Sequence, residues 1–285
     1  MRKSTDVADF GSNRFTGALL SGFTYLLGFM FFFPILWMVL NAFKTEADAN
    51  GDPVFFFEPT LDQFRLVTED IPGRASFSAV YTNSFTIVVV STVIVMILAV
   101  PAAFALSVRP IAKWRDVLFF FISTKFLPVV AGILPVYIIG RELDLLNTRW
   151  SLIIMYTALN LPLAVWMLRS FFQEVPTELI EAARIDGASL RSQLTSVVLP
   201  IVAPGLAATG LLCFIFAWNE FFLSLQLNTS DAQTASVWVT GFESQREDFI
   251  AKLSAASTLV VLPVVLAGWV AQKRMIRGLA MGAIK

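Results

Sequence analysis

The stretch Glu181-Ala182-Ala183-Arg184-Ile185-Asp186-Gly187-Ala188, running on through Leu199-Pro200 to Pro204, decides how the rest of the chain is read. It lies between two long apolar runs, yet with its flanks it carries Glu174, Glu178, Glu181, Arg184, Asp186 and Arg191. A charged side chain in the middle of a bilayer costs about 2.5–3.5 kcal/mol on insertion scales, so this polar stretch belongs in water beside a membrane. Pro176 suits the first turn of a helix, and Glu178 and Glu181 suit the positive end of that helix's dipole. Glu178, Glu181 and Arg184 recur every three residues and share one outward face, while Leu179, Ala182, Ala183 and Ile185 cover much of the remainder. Gly187 tolerates a left-handed backbone, and Ser189 can cap the helix that follows. The expectation is two short helices joined at a glycine corner and hung beneath a membrane domain. That is the shape of a docking knob.

Composition agrees with a membrane setting. The chain has 285 residues, of which 56% are hydrophobic and 27 are Phe, and its mean hydropathy is +0.72. Such values belong to an all-α integral membrane protein rather than a soluble domain. There is no His, and the one Cys, Cys213, sits inside an apolar run. A disulfide framework, a His/Cys metal site, a Ser-His-Asp triad and a histidine proton relay are therefore excluded. The chain has neither a G-x-x-x-x-G-K-[ST] loop for nucleotide phosphates nor a G-x-S-x-G elbow, and its Lys and Arg form no nucleic-acid stripe. By this reading the chain is not an enzyme, binds no metal or cofactor of its own, and draws any driving energy from elsewhere.

Six runs are long enough to cross a hydrocarbon core as helices, near 17–41, 81–107, 117–140, 150–171, 201–226 and 252–272. Pro101, Pro128, Pro135, Pro162 and Pro263 fall within them, so kinks or breaks are expected. The first run is too long for a signal-peptide core and reads as a retained anchor. With the N-terminus placed in the cytoplasm, thirteen of the 21 cations fall in inside segments and seven in outside segments. The acids are reversed, seven inside and thirteen outside. That bias puts both termini and the Glu181–Gly187 loop in the cytoplasm. The organisation expected is one transmembrane domain over 1–285. It comprises an anchor helix and outside loop (1–80), a five-helix core (81–272) with its loop at 172–200, and a cytoplasmic tail (273–285).

Two charges remain deep inside spans, Lys125 in the third run and Glu220 in the fifth. Each should face protein or water, and their opposite signs allow a pair. Tyr137, Tyr156 and Asn160 are further candidates for a polar pathway, with plain packing as the alternative. Of two outside segments, about 42–80 is polar and acidic and 227–251 is longer than a simple turn needs. The second mixes Trp238, Phe242 and Phe249 with Asp231, Glu243, Arg246, Glu247 and Asp248, as either an amphipathic cap or a contact surface.

The Glu181–Ala188 stretch with Leu199, Pro200 and Pro204 resembles the EAA loop of bacterial ABC importer permeases, E-A-A-x-x-D-G-A followed by L-P and a further Pro. In that family the loop is the coupling helix seated in a cleft of the ATPase, so the resemblance assigns Glu178, Glu181, Ala182, Ala183, Arg184, Asp186, Gly187 and Ala188 to ATPase coupling. Glu58 to Phe64, followed by Tyr81-Thr82-Asn83-Ser84-Phe85, is similar to the opening of carbohydrate-type permeases. Phe216-Ala217-Trp218-Asn219-Glu220-Phe221 resembles the A-W-N-E-F segment of maltose-type permeases. There Trp218 would stack on a sugar ring while Asn219 and Glu220 accept hydroxyl protons; the alternative is inter-helix hydrogen bonding with Trp218 as packing. The ending, with Arg277, Gly278, Gly282 and Lys285, resembles the maltose-type tail that inserts between paired ATPases.

The resemblance implies a type I importer core of five spans behind an anchor helix, in a multi-pass protein of the bacterial cytoplasmic membrane. The implied function is ATP-driven uptake of a sugar, short oligosaccharide or polyol by alternating access. The implied partners are two ATPase subunits that bind ATP and Mg, a second permease, a soluble or lipid-anchored substrate-binding protein, and membrane lipid. The rival reading is an ion- or proton-coupled secondary transporter built on Lys125 and Glu220.

Overall fold

The computed structural model describes residues 14–70, 75–108, 111–228, 230–242 and 249–283, and all regular structure among them is helical. In chain order the α-helices are α1 (Arg14–Ala42), α2 (Glu46–Asn50), α3 (Asp62–Thr68), α4 (Phe77–Ser107), α5 (Trp114–Ser123), α6 (Val129–Glu142) and α7 (Arg149–Phe172). There follow α8 (Thr177–Ile185), α9 (Leu190–Ser192), α10 (Leu199–Trp218), α11 (Phe222–Leu227), α12 (Ala235–Trp238) and α13 (Ile250–Ala283). Among the described residues five stretches are long and apolar enough to span a membrane, and a bent pair, α5 with α6, makes a sixth if counted as one.

The chain divides into two compact units. One holds the described residues through Val67 together with 249–258. Within it, α1 buries none of its most apolar window. Beyond α1 the chain folds back, with the Thr60 N–H donating to the Phe43 carbonyl and the Phe43 and Phe64 rings 5.0 Å apart. Lys44 is fully buried there, its Nζ 4.3 Å from the Trp37 ring centre and 5.2 Å from that of Phe57. The faces of those rings supply the negative charge that makes its burial tolerable. Glu46 caps α13: its two carboxylate oxygens accept from the backbone N–H groups of Ala251 and Lys252 at 3.0 and 2.9 Å. Those donors have no partner inside their own helix.

The other unit runs from Thr68 to Glu243 and resumes at Leu259. Its core is the packing of α4 on α7, with α10 laid against both. Ala99 and Ala103 of α4 and Ala164 of α7 are fully buried, and such small side chains let helix backbones come close in lipid, where no hydrophobic drive holds helices together. Gly205 of α10 meets the Phe171 ring so closely that a Cβ there would lie 2.4 Å from its Cγ.

Two of the expected spans take another form. The run at 117–140 is not one helix: α5 and α6 meet at 90°. Thr124–Phe126 tighten into a 3₁₀ turn, Leu127 is extended (φ −69°, ψ 121°), and Pro128 opens α6. Proline drives its predecessor out of the helical region, which sets the corner at this point. Neither half, at about 15 and 21 Å of helix, crosses about 30 Å of hydrocarbon alone. The run at 201–226 is displaced toward the N-terminus. Its helix extends continuously from Leu190 to Trp218 and then stops. Asn219 Nδ2 bonds back to the Ile215 carbonyl, and a Glu220 carboxylate oxygen caps the new helix α11 through the Leu223 N–H at 2.8 Å. Short polar side chains that bind local backbone end helices in this way. The second helix of the expected knob is therefore not short; it is the near end of a 29-residue span.

Candidate functional site

The Glu181 loop forms a braced corner. The Ala188 N–H donates to the Ala183 carbonyl and the Gly187 N–H to the Arg184 carbonyl, at 2.9 and 3.0 Å. With Gly187 at φ +75°, this pair is a Schellman motif closing α8. Ser189 Oγ then accepts from the Ser192 N–H, opening α9, and buried Gln193 donates its Nε2 to the Ala188 carbonyl at 2.8 Å. Ile180, 4% exposed, fastens α8 to the core formed by Phe172, Val175 and Val198. Its role was not foreseen, since a nine-residue helix is too short for periodicity to show which apolar stripe faces inward. On the remainder of α8, Leu179, Ala182 and Ile185 are exposed, Ile185 at 88%, and Ala183 is half-buried. Leu190 is exposed beside them, as are Glu178, Glu181, Arg184 and Asp186. A cleft of about 340 Å³ opens between α8 and the ends of α4 and α7, with Glu181 and Arg184 on its wall.

A second site lies at the bend between α5 and α6. A cavity of about 390 Å³ is lined by Lys125, Tyr156, Asn160 and Glu220 among apolar neighbours that include Leu159 and Phe216. Lys125 Nζ donates to the Leu159 carbonyl at 2.7 Å. Pro162, lacking an N–H, loosens the turn of α7 that carries that carbonyl. Tyr156 donates its hydroxyl to the Glu220 carbonyl at 3.1 Å, and Ser236 donates to the same oxygen at 3.0 Å. Lys125 and Glu220 thus share a cavity without forming an ion pair; among the described residues the one ion pair within 4.0 Å is Arg141–Glu142. The cavity offers a cationic donor and a carboxylate acceptor on opposed elements, a combination that suits hydroxyl groups.

Not every expected pathway residue arrives there. Trp218 is 4% exposed, its Nε1 donates to the Val260 carbonyl at 2.9 Å, and its ring packs against Phe214, Tyr81 and Phe85. No ring face is open for a ligand, which corrects the stacking role in favour of packing. Asn219 is exposed and bonds to its own helix, and Tyr137 lies exposed on α6 outside the cavity lining. Arg277, Gly278 and Gly282 continue α13 as helix, and Lys285 lies outside the described residues.

The Tyr81–Phe85 segment has a structural part that sequence reasoning did not assign. Asn83 Nδ2 donates to the Asp231 and Gln233 carbonyls, its Oδ1 accepts from Arg149 Nε at 2.8 Å, and Ser84 Oγ accepts from the Ala235 N–H at 2.7 Å. Tyr81 donates its hydroxyl to the Leu259 carbonyl. These bonds clamp the 230–242 segment, with buried Trp238 and Phe242, over one end of α4 and α7. Glu243, Arg246, Glu247 and Asp248 lie outside the described residues.

A helical membrane core with a glycine-cornered loop braced on its longest packed helices is a fold with known relatives. The family described as the binding-protein-dependent transport system inner membrane component matches residues 73–280. The chain belongs to this family. A probable ABC transporter permease from Sinorhizobium fredii is 36% identical over 92% of this permease and 94% of its own length. The sulfoquinovosyl glycerol transport system permease of Agrobacterium fabrum is 34% identical, covering 89% and 88%. The trehalose/maltose transport system permease of Thermococcus litoralis is 32% identical, covering 91% and 94%. A chain of the crystal structure of a bacterial ABC transporter involved in importing the acidic polysaccharide alginate superposes with a TM-score of 0.75. It is 24% identical, with 92% of this permease and 97% of that chain covered. The likeness establishes the type I permease fold. Membership also removes the ion-coupled rival: this is the permease subunit of an ABC importer.

Proposed function

We propose that the permease imports a sugar, short oligosaccharide or polyol from the outside to the cytoplasm, driven by ATP and Mg bound to two separate ATPase subunits. A second permease completes the membrane path, and a substrate-binding protein delivers ligand from outside. The observation that carries the reading is the corner at Gly187. It presents Leu179, Ile185 and Leu190 to solvent beside Glu178, Glu181, Arg184 and Asp186, while Ile180 and Gln193 tie it to the core. Exposed apolar side chains set among charges on a rigid turn suit docking, and the ties convert a push on α8 into movement of α7 and α10. Relatives named for trehalose, maltose and sulfoquinovosyl glycerol support the carbohydrate class. Lys125, Tyr156, Asn160 and Glu220 are the substrate-facing residues in this reading, opening toward the second permease. The tail residues Arg277, Gly278, Gly282 and Lys285 reach the ATPase pair, and both termini are cytoplasmic.

The test is a mild-detergent pull-down of the N-terminally tagged permease, with mass spectrometry and ATP hydrolysis on the eluate. Wild type is expected to carry an ATPase and a second permease, and both Glu181→Lys and Gly187→Pro to lose the ATPase alone. An ATPase that stays bound to both variants would overturn the docking reading.

A further inference from the structure

At the foot of α5 and α7, two arginines converge on one tryptophan. The guanidinium carbon of Arg169 lies 4.1 Å from the centre of the Trp114 ring, and that of Arg115 lies 5.3 Å from it. Arg169 is fixed in place, its Nε donating to the Leu106 carbonyl at 3.1 Å and its Nη1 to Gln173 Oε1 at 3.0 Å. Arg115 is exposed and its guanidinium has no hydrogen-bond partner among the described residues. Lys113 adds a third cation one residue before Trp114. The neighbouring carboxylate, Asp116, is exposed, sits in the first turn of α5 where the helix's own N–H groups attract it, and forms no ion pair among the described residues. Two guanidiniums thus meet on one ring, with a third cation beside it in sequence and no ion pair to offset them among the described residues.

What completes such a cluster is an anion that two guanidiniums can share, and a phosphate oxygen pair has that geometry. The surroundings choose its source. The helix α5 buries none of its residues, and Phe119, one turn along from Arg115 on the same face, is 74% exposed with Phe120 at 66%. A headgroup held at Arg115 has its acyl chains lying along these rings. Trp114 itself is only partly buried, as an amphipathic ring at a membrane–water boundary is. We propose that Arg115 and Arg169, stacked on Trp114, bind the phosphate of an anionic phospholipid, whose chains run along Phe119. The site lies on α5, the half of the bent pair that carries the chain to Lys125, so a bound lipid steadies an element held to the core only through partly buried Trp114, Val117 and Phe121.

The experiment is native mass spectrometry on the delipidated full-length permease, titrated with phosphatidylglycerol and with phosphatidylcholine of the same chains. Phosphatidylglycerol is expected to bind more tightly, and Arg115→Gln to weaken it about fivefold per charge removed while phosphatidylcholine binding is unchanged. Arg115→Lys should retain most of the preference. Because Arg115 donates no hydrogen bond to the described protein, its replacement does not endanger the fold; Arg169→Gln is read only if its melting temperature matches wild type. Equal binding of the two lipids, or a preference that survives Arg115→Gln, overturns the proposal. Displacement of phosphatidylglycerol by millimolar glycerol phosphate overturns the lipid source in favour of a soluble phosphate ester. Loss of the preference when the ATPase is added overturns it in favour of an acidic protein surface. The binding is read on the chain itself, so its failure leaves the importer reading intact.

Discussion

Trp218 shows how far a residue's chemistry can mislead without its neighbours. An aromatic beside Asn219 and Glu220 in a membrane run has the makings of a sugar platform, yet its Nε1 is bound to the Val260 carbonyl and three rings enclose it. Trp218→Phe is therefore expected to lower stability by about 0.5–1.5 kcal/mol, the worth of one internal hydrogen bond, with the apparent affinity for substrate unchanged. A melting curve and an uptake titration in proteoliposomes separate the two, and a large rise in KM with no loss of stability would restore the ligand role. Gly205 carries the opposite lesson, since a glycine in an apolar run gives no sign of what it faces. The Phe171 ring occupies the space a Cβ would need. Gly205→Ala should cost about 1–3 kcal/mol from overpacking. The Gly205→Ala/Phe171→Ala pair should be less damaging than the sum of its parts, as expected for residues in direct contact. Strict additivity in thermal denaturation would show that the close approach of α10 to α7 does not depend on this glycine.

At the level of elements, the prolines show where legibility ended. Pro101 and Pro162 sit within α4 and α7 without breaking them, and each of these helices buries many side chains. Pro128 stands at the break of its run, with Leu127 extended before it, while Pro34 and Pro135 lie inside α1 and α6 without breaking them although both helices bury little. A bend at Pro128 was among those the prolines allowed, but nothing in the sequence says which of the five prolines ends its helix. The corner at Gly187 was legible because left-handed backbone, a helix cap and charge spacing are local properties. A π-helical turn, Gln193–Val198, joins that corner to α10, with the Leu199 N–H reaching back to the Leu194 carbonyl. Pro200 follows directly; its ring would crowd the Ser196 carbonyl in a regular α-turn, and the wider turn relieves that crowding. Pro200→Ala is expected to let the turn tighten, rotating α8 by about 100° per residue gained relative to α10. The ATPase should still co-purify, but its hydrolysis should no longer respond to loaded binding protein. A stimulated rate equal to wild type would show that the π-turn plays no part in coupling.

Across the whole molecule, the expected orientation rests on the charge distribution. Cations outnumber acids on one set of loops and acids outnumber cations on the other, and that imbalance alone assigned the Glu181 loop to the cytoplasm. Which helices touch was not legible, because the contacts that build the core are alanines such as Ala99, Ala103 and Ala164, common in any apolar run and marked only by their burial. The orientation has a direct test, because the chain's one cysteine, Cys213, is 1% exposed and should stay silent toward aqueous reagents. Ile185 stands 88% exposed on the Gly187 corner, and Glu142 stands exposed at the far end of α6, in a surface ion pair whose loss costs little. In intact cells a membrane-impermeant maleimide should label Glu142→Cys and leave Ile185→Cys untouched until the membrane is opened. Wild type should react in neither state. Labelling of Ile185→Cys in intact cells would place the corner outside, where no ATPase could reach it, and the importer reading would lose its motor.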